Sequence, residues 1–254
     1  MVSDEPVRLP IVYRGDGWLA VAKPPGVAVG DSASENHTGL LAAMQAGIAA
    51  GGGQFRRLGF EEAAGINDLE TGASGVVLVA TNRETAGNLR NDLGSDRITF
   101  VFELITEGVA EAGVGDVRLC NLPLAWDNER ERAFVSQRVG RKCSTSFTLA
   151  ARFPGHSAWR AETNLYRSDQ IRVHAREIGL RIVGEDKYVR VRAMSLAGLK
   201  GLRLRRDAEV AIVNQGLCLH LAQVRYRSRD AGDLVIDAPR TRSFDAAWRF
   251  LVGK

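Results

Sequence analysis

Five consecutive apolar residues, Val76-Val77-Leu78-Val79-Ala80, constrain this chain more than any other segment. A strand that is apolar at every position has no polar face to turn to water, so it must be covered on both sides. The neighbouring sequence supplies elements that can cover it. Thr81-Asn82 opens a predicted helix over Glu84 to Leu93, closed by Gly94. Upstream, Ile11-Val12-Tyr13 and Trp18 to Ala22 flank the turn residues Arg14-Gly15-Asp16-Gly17, which predicts a hairpin broken by Lys23-Pro24-Pro25-Gly26.

Further along, Leu40, Leu41, Met44 and Ile48 have helical spacing within Thr38 to Ala50. Ile98 to Ile105 is strand-like, and Arg118 to Arg141 is polar and turn-rich. Ser144 to Phe153 and Trp159 to Asn164 read as paired strands around Pro154-Gly155, and Ile171 to Ile178 as a short helix stopped by Gly179. Val210 to Val213 and Leu234 to Ile236 read as late strands, and Phe244 to Leu251 as a closing helix. Strands come in runs rather than in βαβ alternation, so the expected class is α+β, a mixed and mostly antiparallel sheet with packed helices.

Composition narrows the function classes. With 45% hydrophobic and 25% charged residues in 254, the chain is not a disordered one. No run approaches the roughly 18 apolar residues of a membrane helix. The start, Met1 to Pro6, lacks the basic and apolar stretches of a secretory signal. Three cysteines without CxxC spacing (Cys120, Cys143, Cys218) argue against a disulfide framework and a zinc site, and point to a reducing, cytoplasmic compartment. The net charge of +4 hides a local excess, because residues 176–206 carry nine basic side chains against three acidic ones. Such a stretch could track phosphates, or it could be a solvated face.

Two segments carry candidate chemistry. In Ile66-Asn67-Asp68-Leu69-Glu70-Thr71-Gly72, an extended backbone would put Asp68 and Glu70 on one side. That pair could act as acid and base or as acid and nucleophile, or could be a polar strand end. The segment Tyr166-Arg167-Ser168-Asp169-Gln170-Ile171-Arg172-Val173-His174 packs two Arg, a Gln and a His into a strand-to-helix junction. An Arg there could hold a carboxylate ionised, or the segment could be a surface helix with His174 in a structural role. His37, His156 and His220 have no ligand spacing, so no metal is expected.

The order of these segments resembles the RluA-type pseudouridine synthases. Their strand ending in Lys-Pro-x-Gly matches Val21-Ala22-Lys23-Pro24-Pro25-Gly26, and their catalytic His-Arg-Leu-Asp-x-x-Thr-Ser-Gly segment is similar to Asn67 through Gly75. Their Lys-x-Tyr strand resembles Phe100-Val101-Phe102. Their Gly-Arg-Thr-His-Gln-Ile-Arg-x-His segment, with the Ile-Gly run that follows, is similar to Tyr166 to His174 and Ile178 to Asp186, and Leu219-His220-Leu221-Ala222 echoes a late Leu-His-Ala piece. The resemblance runs from about residue 10 to 251. It implies a single catalytic domain over 10–254 after a tail at 1–9, with no separate N-terminal RNA-binding domain.

The resemblance further implies isomerisation of uridine to pseudouridine in ribosomal or transfer RNA, without metal or cofactor, by a protein expected to be monomeric. Carried over position by position, Glu70 is the catalytic carboxylate and Arg167 its ion-pair partner. Phe102 is the base-stacking ring, and Ile171, Asn67 and Asp68 belong to the pocket. Lys23, Arg172, Arg176, Arg181, Lys187, Arg190 and Arg192 are expected to meet RNA. The chain departs from the family at the chemistry: Glu70 stands for Asp, Asp68 for Arg, Asn67 for His, Phe102 for Tyr and Asp169 for His. Two readings follow, an active synthase using Glu70 or a non-catalytic RNA-binding homologue with a ribosome-associated or RNA-chaperone role.

Overall fold

The computed structural model describes residues 8–30, 39–193 and 216–252. The apolar run is strand β4 (Ser74–Ala80), and every one of its residues is buried. On one side it pairs antiparallel with β2 (Trp18–Lys23), in the register Trp18↔Ala80 to Lys23↔Gly75. β2 is the return strand of the predicted hairpin, whose first strand is β1 (Ile11–Gly15). On its other side β4 meets β12 (Leu219–Ser228) in a parallel pairing, His220↔Ser74 and Leu221↔Gly75. From β12 the sheet continues antiparallel through β5 (Ile98–Glu107), β10 (His156–Thr163), β9 (Thr145–Phe153) and β6 (Val117–Cys120).

Short strands β3 (Ala64–Gly65), β11 (Arg181–Ile182) and β13 (Gly232–Asp237) sit beside β4, β5 and β12, which makes eleven strands in this sheet among the described residues. A separate hairpin pairs β7 (Leu124–Asp127) with β8 (Arg132–Val135). The mixed, mostly antiparallel sheet expected from the sequence is therefore present.

Helices cover the sheet. Helix α1 (Leu40–Ala49) leads into the one-turn α2 (Gly53–Arg57). α3 (Arg83–Gly94) packs against β4 and is capped by Asn82, whose side chain accepts the Thr85 N–H at 2.9 Å. α4 (Gln170–Glu177) buries six of its eight residues, and α5 (Arg242–Val252) lies on β9 and β10. The predicted strand at Val210 to Val213 lies outside the described residues.

Two expectations need correction. The segment 118–141 holds most of β6 and all of β7 and β8, because turn residues separate strands too short to show a pattern of their own. β12, the strand that joins the two halves of the sheet, was not predicted as a strand. Its His220 is acceptable in the core only because Ser74 Oγ and the Ala238 carbonyl satisfy its two nitrogens, at 2.9 Å and 3.2 Å.

The β4–β12 crossing depends on one glycine. Gly75 has φ +130°, and a Cβ built there would stand 2.2 Å from the Leu221 carbonyl oxygen and 2.6 Å from its nitrogen, both backbone. Gly75→Ala is therefore expected to destabilise the fold by about 2 kcal/mol or more, from backbone strain and parted strands. Denaturant melts check this, and a loss under about 0.5 kcal/mol would show that the crossing relaxes.

Candidate active site

Two loops meet over the sheet, one leading into β4 and the other following β10. The first runs from Ile66 to Ala73, between β3 and β4. It is not a strand, yet the predicted alternation holds: Asn67 and Leu69 are buried while Asp68 and Glu70 point the other way. Asn67 takes the place of a ladder partner, donating from Nδ2 to the Val76 carbonyl at 3.1 Å and accepting the Leu78 N–H on Oδ1 at 2.8 Å. Beneath the loop, the Lys23 ammonium lies within 3.4 Å of five carbonyl oxygens, those of Pro24, Val27, Glu70, Thr71 and Ala73. A charge so enclosed is tolerable because backbone dipoles replace its water.

The second loop, Tyr166 to Asp169, enters α4. It closes as a tight turn, with Gln170 N–H donating to the Arg167 carbonyl and Gln170 Oε1 accepting the Arg167 N–H, both at 2.9 Å. Asp169 completes the turn in the left-handed region at φ +61°. Buried Gln170 also donates to Thr145 Oγ1 and Thr163 Oγ1, each at 3.0 Å, which ties the turn to the sheet.

The loops are stitched to each other through the acidic side chains. The Tyr166 hydroxyl donates to Glu70 Oε1, and Ser168 Oγ donates to Asp68 Oδ2 at 2.6 Å. Glu70 Oε2 is shielded from solvent and has no hydrogen-bond partner among the described residues. Burial pushes the Glu70 carboxyl up to about 7, and the Asp169 charge adds to this. The Tyr166 hydroxyl and the Arg172 guanidinium pull the other way. Tyr166 itself is held well above the ordinary phenol range by burial and by Glu70, so it remains a donor.

Below this pair lies a buried ion cluster. Arg172 donates to both oxygens of Glu185, at 2.7 Å and 2.6 Å, and reaches Asp169 and Asp186 at 3.3 Å each. Asp169 also accepts the Lys187 ammonium and the Tyr188 hydroxyl at 2.6 Å. Over the loops opens a cavity of about 1040 Å³. Six carboxylates line it, those of Asp68, Glu70, Glu129, Glu131, Asp169 and Asp186, against the cations of Arg130, Arg172 and Lys187. The indole of Trp126, on β7, forms part of its wall with Lys187 Nζ 5.3 Å from the ring centre.

Several sequence-derived assignments change. Arg167 is not the ion-pair partner of Glu70: the turn aims its guanidinium at the Lys142 carbonyl, at 3.2 Å, and the cation acting on Glu70 is Arg172. Phe102 cannot stack on an inserted base, because it is fully buried beneath Tyr166, with ring centres 4.9 Å apart. Tyr166 is the aromatic ring in contact with Glu70. Ile171 is likewise fully buried, and Asn67 is spent on β4. Lys23 and Arg172 are enclosed by their partners and cannot meet phosphate.

The remaining expected RNA contacts differ among themselves. Arg176 pairs with Glu177 at 3.7 Å, Arg181 with Glu107 at 3.1 Å and Lys187 with Asp169 at 2.6 Å. Arg190 and Arg192 are exposed, with no ion pair among the described residues. Lys200, Arg203, Arg205 and Arg206 lie outside the described residues. His174 is structural: Thr145 Oγ1 and the Leu122 carbonyl occupy its two nitrogens at 2.9 Å.

Comparison with known proteins identifies relatives of this chain. No family model matches the chain. It is 26% identical over 189 residues to an uncharacterized RNA pseudouridine synthase, YlyB, of Bacillus subtilis, a match covering 74% of this chain and 60% of the relative. It is 25% identical over 182 residues to the ribosomal large subunit pseudouridine synthase D of Pseudomonas aeruginosa, covering 72% and 54%. With the dual-specificity RNA pseudouridine synthase RluA of Haemophilus ducreyi it shares 26% over 190 residues, covering 73% and 80%. The chain thus spans about half to two thirds of the length of the first two. Among solved structures, the human RNA pseudouridylate synthase domain containing 4 superposes with a TM-score of 0.65 at 14% identity, covering 94% of this chain and 92% of that one.

Proposed function

We propose that this chain, a homologue of the RNA pseudouridine synthases, isomerises uridine to pseudouridine in RNA with Glu70 as its catalytic carboxylate. The observation that carries the reading is Glu70 itself. By the motif resemblance it stands where the family has its catalytic Asp; it lines the cavity, and its Oε2 has no hydrogen-bond partner among the described residues while Tyr166 fixes Oε1. A target nucleotide must first leave its stack, at a cost of a few kcal/mol.

In this reaction the ionised carboxylate attacks C1′ of the ribose, and the C1′–N1 bond breaks with its electron pair leaving on uracil. The base turns, C5 attacks C1′, and the carboxylate departs as the C–C bond forms. Loss of the C5 proton and gain of one at N1 complete an isomerisation in which nothing else is consumed. Glu70 is one methylene longer than Asp, and the Tyr166 hydroxyl, donating to its Oε1, sets the direction of the carboxyl group. Non-catalytic RNA binding is the less favoured reading, because the matched relatives bear the names of enzymes.

The test is chemical mapping of pseudouridine in cellular RNA with and without the protein, followed by the rate on the mapped RNA as a function of pH. Only ionised Glu70 can attack, and its carboxyl titrates at about 7. The rate should therefore rise about tenfold per pH unit below 7 and level off above about 8. No protein-dependent site in any RNA would overturn the reading, and a rate flat from acid to alkali would remove Glu70 from the attacking role.

A further inference from the structure

The cavity that receives the nucleotide is the wrong place for its phosphates. Six carboxylates face it against three cations, and all three cations, Arg130, Arg172 and Lys187, are already held in ion pairs. A polyanionic backbone must therefore pass outside, along whatever unpaired positive charge borders the opening.

The chain carries such charge in a one-sided stretch bonded through Arg141 to β7, the strand whose Trp126 lines the cavity. Residues 132–161 contain six basic side chains and no acidic one. Three of them, Arg138, Arg141 and Lys142, lie on the exposed segment between β8 and β9. None of the three has an ion pair among the described residues. The segment is also held in place. Arg141 and Leu124 exchange backbone hydrogen bonds at 2.8 Å and 3.1 Å, and the turn at 136–140 closes with Gly140 N–H on the Ser136 carbonyl at 3.0 Å.

Its link to the site is Arg167. This residue sits between Tyr166, which holds Glu70, and Ser168, which holds Asp68, and its guanidinium reaches the Lys142 carbonyl at 3.2 Å. Arg167 has no ion pair with any described carboxylate either. By contrast, Arg176 and Arg181 near α4 already face Glu177 and Glu107.

We propose that Arg138, Arg141, Lys142 and Arg167 form a phosphate track that carries the RNA backbone past the cavity while the target nucleotide turns inward. The inference rests on the RNA reading given above. It names one side of the opening, and it fits a strand whose phosphates are accessible next to an unpaired nucleotide.

Fluorescence anisotropy with a labelled RNA stem-loop, bearing uridines in the loop, tests the track across a potassium chloride series. The triple variant Arg138→Ala, Arg141→Ala, Lys142→Ala changes only exposed side chains, and circular dichroism verifies its fold. Each lost phosphate contact lowers the slope of log K against log salt by about 0.7–0.9. The triple variant is thus expected to bind at least about tenfold more weakly, with a slope shallower by about 2 to 3.

An unchanged slope, or an equal loss in Arg176→Ala, Arg190→Ala, Arg192→Ala, would overturn the track. Pseudouridine formation on the same RNA separates this outcome from the enzymatic reading. Modification by the wild type with an unchanged slope removes the track alone. A shallower slope without modification leaves the track and removes the enzyme.

Discussion

Glu70→Gln is expected to abolish pseudouridine formation and to stabilise the folded protein at the same time. The loss of activity follows from replacing the attacking oxygen by an amide, and should be on the order of 10³-fold or more. The gain in stability follows from burial. An unfolded chain titrates this carboxyl at its ordinary value of 4.5, whereas the folded protein holds it at about 7. The folded state therefore binds the proton more tightly, and stability is lost as pH rises from 4.5 through 7. Two and a half units correspond to about 3 kcal/mol in full. Gln has no such titration, and it can still accept from Tyr166. The variant should melt higher than the wild type at pH 8, and the gap should close towards pH 4.5. Thermal melts at both pH values decide it. Equal stability at pH 8 would mean that water reaches the carboxyl and relieves its burial.

Arg172→Ala should have the opposite effect on the fold. The guanidinium is 8% exposed and bonds Glu185 in two places, with Asp169 and Asp186 alongside. Removing it leaves Glu185, 2% exposed, with its negative charge and no cation, whereas Asp169 keeps Lys187 and Tyr188. Breaking a buried pair from one side costs about 3–5 kcal/mol, more than the pair contributes when intact. Denaturant unfolding should show that loss. Arg172→Met combined with Glu185→Gln should recover about 1–2 kcal/mol of it, since the second change removes the stranded charge. No recovery in the double variant would mean that the loss comes from packing against Tyr188, whose ring centre lies 5.3 Å from the guanidinium.

How much of this was legible in the sequence depended on how local the cause was. β4 was visible because an all-apolar run states its own burial, and α3 because Asn82 caps it within three residues. Asp68 and Glu70 were found by alternation, which survives in a loop because Asn67 and Leu69 are pinned inward. The partner of Glu70 was not legible. Arg167 and Arg172 are five residues apart across a turn that only the left-handed backbone of Asp169 makes, and that turn sends the first outward and places the second beneath the site.

Charge density misled in the same way. Residues 176–192 look strongly basic along the chain, but Glu177 and the distant Glu107 claim two of their arginines in space. The stretch at 132–161, with no acid of its own, keeps more of its charge free. Tyr166 stood inside a segment already singled out. Its neighbours offered charges that drew attention, whereas its role comes from lying over Phe102 with its hydroxyl on Glu70.

Lys23 gives the site a property of a different kind. Its ammonium joins carbonyls of the turn after β2 to carbonyls of the loop that bears Glu70, and Gly26 N–H adds a 2.7 Å bond to Thr71 across the same seam. The loop that bears Glu70 therefore cannot fray by itself. To open, it must strip a buried cation of its ligands, so its local unfolding is tied to that of the central sheet. The carboxyl side of the cleft acts as an anvil, fixed from beneath by a cation that cannot leave without the fold.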